Sequence, residues 1–246
     1  MTRDEGRGTR NPLILALDVS SREEAIRLCH ALSDKVDIFK VGLQLFLACG
    51  PGIVHIVHAL GGKVFLDLKF FDVPNQVSNS CREIVRMGVE MFTLHTLGGF
   101  KMMREAATVT RKMATELEVK APIILGVTIL TSLDQRELQA LGTSDKITSQ
   151  VVRLASLAKD AGLDGVVASP LEISAIRKAL GEDIIIVTPG VRPKWAVYGD
   201  QKRVLTPMEA MELGASYIVV GRPIIQSSDP VQAASQILME IGGLSS

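Results

Sequence analysis

Short apolar runs alternating with longer stretches of helical period dominate this chain, and that alternation is the pattern of βα units on a parallel sheet. The runs predict strands over Leu13–Asp18, Val36–Val41, Lys63–Lys69, Met91–His95, Ile123–Thr128, Gly165–Ser169, Ile184–Thr188 and Tyr217–Gly221. Several are nearly continuous in β-branched residues, such as IIIV at 184–187 and YIVVG at 217–221. Strands covered on both faces read this way. Helices are expected over Arg22–Leu32, Gly52–Leu60, Gln76–Met87, Phe100–Glu116, Ile147–Ala161, Leu171–Leu180, Pro207–Leu213 and Val231–Ile241. Ser20 or Ser21 is placed to cap the first, with Glu23 and Glu24 in its opening turn. The 246 residues match the roughly 250 of a closed (β/α)8 TIM barrel. The expected organisation is one barrel domain over 12–246 behind an N-terminal tail at 1–11, with a doubly wound open sheet as the alternative.

Composition narrows the partners. Lysine plus arginine and aspartate plus glutamate both number 27, and this balance argues against a broad nucleic-acid surface. An anionic ligand must then be held by a few placed residues. The three cysteines lack CxxC spacing and are read as reduced, packed side chains. The polar start MTRDEGRGTRNP has no apolar stretch behind it, and no run is long enough to span a membrane. A soluble, cytoplasmic protein is expected.

Ligand sites in such barrels lie at the C-terminal ends of the strands. The predicted strands end at or lead into Asp18, Lys40, Asp67 with Lys69, His95, Thr131 with Ser132, Arg192, and Gly221 with Arg222. One charge at a strand end means little, but charges from most strands converging on one rim are hard to ascribe to solubility. DLKFFDVPNQ at 67–76 is the densest segment. In a regular strand Asp67 and Lys69 point to the same side, about 6.6 Å apart along the chain. His95 is read as a residue satisfying a hydrogen bond at the rim, and His55 with His58 as a helical pair without matching metal ligands.

The DxKxxDxP pattern at 67–74 resembles the signature of the orotidine 5′-monophosphate decarboxylase family. Its companions stand in the family's order: LALD at 15–18, FKVG at 39–42, TILTS at 128–132, TPGVRP at 188–193, DQ at 200–201, RVLTP at 203–207 and VVGRPI at 219–224. The resemblance implies decarboxylation of orotidine 5′-monophosphate to uridine 5′-monophosphate, the last step of de novo pyrimidine synthesis, without cofactor or metal. It implies that Asp18 and Lys40 contact the ribose, that Asp67 lies against the substrate carboxylate, and that Lys69 delivers the proton. It further implies that Asp72 reaches into the site of the other subunit of a homodimer. Thr131 is expected to read the pyrimidine, and Arg192, Gln201, Gly221 and Arg222 to hold the 5′-phosphate. Gln76 stands where the family commonly has threonine and Phe71 where it often has histidine. Gln76 retains a hydrogen-bond donor for substrate.

This set suits its chemistry. Loss of CO2 from C6 of orotate leaves charge that the ring π system cannot absorb, so preorganised charge must stabilise it. Lys69 between Asp67 and Asp72 offers an ammonium beside the developing carbanion. The stretch from Pro189 to Leu205 is long for a βα connection and is read as a lid over the phosphate. The alternatives are a related magnesium-dependent sugar-phosphate decarboxylase or aldolase-type barrel, and a non-catalytic barrel that binds a phosphorylated ligand.

Overall fold

The computed structural model describes residues 11–196 and 205–242. Eight parallel strands close in sequence order, with the last pairing the first. They are β1 (Leu13–Ala16), β2 (Ile38–Gly42), β3 (Lys63–Phe70), β4 (Met91–His95), β5 (Ile123–Val127), β6 (Gly165–Val167), β7 (Ile185–Pro189) and β8 (Tyr217–Val220). This is a single-domain (β/α)8 barrel, and closure excludes the open doubly wound sheet.

The helices around it are α1 (Arg22–Leu32), α2 (Leu43–Cys49), α3 (Gly52–Ala59), α4 (Pro74–Arg86), α5 (Gly99–Glu116), α6 (Gln135–Ala140), α7 (Ile147–Asp160), α8 (Ile173–Leu180), α9 (Pro207–Glu212), α10 (Arg222–Ile225) and α11 (Pro230–Gly242). Ser21 caps α1, its hydroxyl accepting the Glu24 N–H at 3.2 Å. Three helices stand outside the sequence expectation. LQLFLAC of α2 is apolar almost throughout and shows no polar face to count, while α6 and α10 are too short for a period to emerge.

Strand alternation sorts the buried residues into two layers. Outward-facing Leu13, Leu15, Phe39, Val64, Leu66, Phe92 and Leu94 pack beneath the helices. Inward-facing Ile14, Ile38, Phe65, Met91, Leu125, Val187 and Tyr217 fill the barrel. Each such side chain, fully buried, contributes about 1.5–3 kcal/mol. Two residues further along, the inward position turns polar on three neighbouring strands: Ile38 is followed by Lys40, Phe65 by Asp67 and Met91 by Thr93. The period-two pleat therefore lays an apolar floor and sets charge above it.

At the opposite rim, polar side chains bind the scaffold. Arg177 on α8 donates to the carbonyls of Ile184 at 2.7 Å and Gly214 at 2.6 Å, joining the lead-ins to β7 and β8. Cys29 and Cys81 are buried among apolar residues. Burial pushes the Cys29 thiol up to about 12 and the Cys81 thiol to about 11, the latter against a lowering hydrogen bond with Thr110. Both pack as small hydrophobes, as read from the sequence.

Candidate active site

The C-terminal mouth of the barrel holds a cavity of about 330 Å³, within the range of small-molecule sites. Ala16, Phe65, Val167 and Val219 give it apolar surface. Asp18, Lys40, Asp67 and Lys69 line the β1–β3 side, while Thr131, Arg192, Gly221 and Arg222 come from the connections after β5, β7 and β8. Eight of the residues singled out in the sequence thus meet in one space.

The charged groups form a chain. Lys69 Nζ lies 2.8 Å from Asp67 Oδ2, and Lys40 Nζ lies 3.7 Å from the same oxygen. Lys40 Nζ is also 3.0 Å from Asp18 Oδ1. β1 ends at Ala16 instead of the expected Asp18. The Leu17 N–H donates to the Lys40 carbonyl at 3.0 Å, which leaves Asp18 beyond the ladder and beside the Lys40 ammonium. Gly42 makes room for this contact, since a Cβ there would stand 3.1 Å from Lys40 Nζ. A Cβ on Gly221 would similarly crowd Ala16 Cβ at 3.2 Å and Asp18 Oδ2 at 3.4 Å.

Asp67 and Lys69 do not occupy two regular strand positions, contrary to the sequence expectation. The β3–β4 register shifts between Leu66 and Phe70, and Lys69 has φ +52°. A non-glycine residue in the left-handed region costs roughly 1–3 kcal/mol and persists only when its surroundings hold it there. Thr93 on β4 supplies that hold and escaped the sequence reading. Its hydroxyl accepts the Lys69 N–H at 2.9 Å and donates to Asp67 Oδ1 at 3.0 Å. The available signal was parity, because Thr93 shares the inward face of β4 with Met91.

Asp72 and Gln76 stand apart from this cavity. Both are exposed and line a separate hollow with Leu68, Phe70 and Phe71, which Lys69 also borders. Among the described residues Asp72 joins none of the ion pairs, so one subunit alone does not assemble the expected Asp67–Lys69–Asp72 alternation. The nearest bond of its carboxylate is local, accepting the Val73 N–H at 2.6 Å. His95 takes the rim role read from the sequence, with Nδ1 accepting the Leu97 N–H at 3.5 Å and its ring against Phe71. Gln201 and the middle of the expected lid, residues 197–204, lie outside the described residues. The base of that connection is closed by the Arg192 N–H, which donates to the Leu205 carbonyl at 3.0 Å.

A closed barrel with an ionic chain at one side of its mouth and two arginines at another defines a (β/α)8 enzyme for an anionic small molecule. Residues 11–237 match the orotidine 5′-phosphate decarboxylase / HUMPS family, and the chain belongs to it. It is 50% identical to the orotidine 5′-phosphate decarboxylase of Trichlorobacter lovleyi over 98% of both chains. It is also 50% identical to that of Geobacter metallireducens, over 98% of this chain and 99% of the other. The crystal structure of orotidine 5′-phosphate decarboxylase from Lactobacillus acidophilus superposes with a TM-score of 0.83 at 36% identity, covering 94% of this chain and 99% of that one.

Proposed function

We infer that this chain decarboxylates orotidine 5′-monophosphate to uridine 5′-monophosphate and CO2. The observation that carries the reading is the Asp18–Lys40–Asp67–Lys69 chain in the same cavity as Arg192 and Arg222. A nucleotide with its phosphate at the arginines would present its base toward the two lysines. Arg222 and Arg192 would grip the phosphate through planar, permanently charged forks. Gly221 would allow close backbone approach, and Gln201 would add a donor. Asp18 and Lys40 would take the ribose hydroxyls, and Thr131 would bond a polar edge of the nucleotide.

The substrate carboxylate would lie against Asp67, whose negative charge disfavours the ground state relative to a transition state that is losing CO2. As the C6–carbon bond breaks, its electron pair stays on C6, and Lys69 Nζ transfers a proton there. Fixed charges in place before reaction need no reorganisation during it. Binding energy at the remote phosphate would hold the base in register with the lysines.

The functional unit in this reading is a homodimer that lends Asp72 across its interface. Asp72 is flanked by Phe71 and Val73, exposed at 62% and 61%. Apolar surface beside an exposed carboxylate suits a covered interface. No cofactor, metal or nucleic acid enters the reading. In the cavity both carboxylates, Asp18 and Asp67, are already paired with ammonium groups.

The test is to mix purified protein with orotidine 5′-monophosphate in EDTA and follow the loss of orotate absorbance. Turnover is expected. Turnover of a sugar phosphate that requires added magnesium, with none of the nucleotide, would overturn the reading.

A further inference from the structure

Thr93 touches both members of the central ion pair without lining the cavity. It is fully buried on β4. An ionised carboxylate only accepts hydrogen bonds, so the hydroxyl must spend its single proton on Asp67 Oδ1. Its lone pairs then face the Lys69 N–H, which must donate. Both bond directions are therefore fixed by chemistry.

Each bond controls a different variable. Thr93 occupies Asp67 Oδ1, which turns Oδ2 toward Lys69 Nζ at 2.8 Å and Lys40 Nζ at 3.7 Å. Without that anchor the carboxylate is free to rotate about its terminal torsion, which has broad wells. The bond to the Lys69 N–H stands in for a ladder bond where the β3–β4 register breaks. It keeps the donor satisfied and holds Lys69 at φ +52°. That backbone conformation brings the lysine back onto Asp67 two residues earlier.

We propose that Thr93 is a positioning residue that sets the orientation of Asp67 and the backbone of Lys69, and so the placement of the proton that Lys69 delivers. The proposal rests on the decarboxylase reading for its kinetic consequence, but its structural consequence stands apart from it. Thr93→Val keeps the volume and branching of the side chain and removes both hydrogen bonds, whereas Thr93→Ser keeps both. Thr93→Ala serves as a second deletion if the valine variant fails to fold.

Two measurements decide. In steady-state kinetics on orotidine 5′-monophosphate, Thr93→Val should lose about 10²-fold in kcat, the scale of a 1 Å misplacement. KM should change little, because Thr93 does not line the cavity, and Thr93→Ser should recover most of kcat. In a crystal structure of Thr93→Val, Lys69 should leave the left-handed region or lose its contact with Asp67 Oδ2. Wild-type kcat in a folded valine or alanine variant would overturn the proposal. So would an unchanged Lys69 backbone and ion pair in its crystal structure, whatever the substrate proves to be. Failure of the wild-type protein itself on the nucleotide would instead remove the decarboxylase reading and leave the crystal structure to judge Thr93.

Discussion

Lys69 Nζ lies 2.8 Å from Asp67 Oδ2, although the residue between them sits where β3 slips its register against β4. In an undistorted strand the two side chains would be parallel neighbours separated by the rise of two residues. Here the left-handed backbone of Lys69 and the hydroxyl of Thr93 produce the contact. The site is thus built on a local departure from regular structure, of the kind that surrounding contacts must maintain.

Lys69→Ala should abolish the chemical step while the barrel survives. Asp67 keeps its bond from Thr93 and its ion pair with Lys40, so no buried carboxylate is left alone. General acid catalysis contributes about 10²–10⁴-fold, and kcat should fall by at least that order. The check is kcat on protein whose melting temperature is near that of the wild type. A folded variant retaining more than about a tenth of kcat would remove Lys69 from the proton-donor role.

Arg222→Ala should impair turnover of the nucleotide far more than turnover of its phosphate-free nucleoside. Arg222 lines the cavity just after β8 and would touch only the phosphate end. Gln201→Ala should couple with it in a double-mutant cycle if both hold one group. Equal losses on both substrates would assign Arg222 to support of the barrel.

Mixing inactive Lys69→Ala and Asp72→Ala proteins should restore activity once subunits exchange. If Asp72 is lent across a dimer, each mixed dimer holds one site with both defects and one with neither. Random pairing of equal amounts then gives about a quarter of wild-type activity. The exposed position of Asp72, outside the ionic chain of its own barrel, motivates the experiment. Mixed dimers identified by native mass spectrometry but lacking activity would mean that no subunit borrows Asp72.

Stability should fall as pH drops below about 6.5, the ordinary histidine value, with His95 one contributor. Burial lowers the His95 pKa, and the Lys69 ammonium lowers it further. His58 shifts the same way, through burial and then His55. In the window between the depressed folded values and the ordinary one, the unfolded chain binds more protons than the folded chain. Stability therefore rises with pH there, is fully present above the ordinary value, and is lost as pH falls through the folded values. His95→Gln retains an acceptor for the Leu97 N–H and should flatten the slope of melting temperature against pH. An identical slope in wild type and variant would exclude His95 as a source.

Much of this molecule is written locally. The expected bounds of Met91–His95 and Arg22–Leu32 coincide with β4 and α1, because a clear period meets a clear stop in each. Other strand ends move by one or two residues, as at β1, where the bond from the Leu17 N–H to Lys40 is the last before the chain leaves the ladder at Asp18. Parity along β2, β3 and β4 places Lys40 and Asp67 on one face, and the DxKxxDxP segment with its companions carries the family.

What the sequence by itself determined is therefore the alternation of elements, the face on which each strand residue stands, and which residue types reach the mouth of the barrel. The tertiary structure alone decided which of them meet. The pairing of β8 with β1 brings Gly221 up against Asp18, and the slip between β3 and β4 turns Lys69 onto Asp67. It also set Asp72 and Gln76 outside the cavity that Lys69 lines. The physical reason is range: periodicity and caps are set by neighbours a few residues away. Thr93, by contrast, stands 26 positions from the carboxylate it orients, and only closure of the barrel makes them partners.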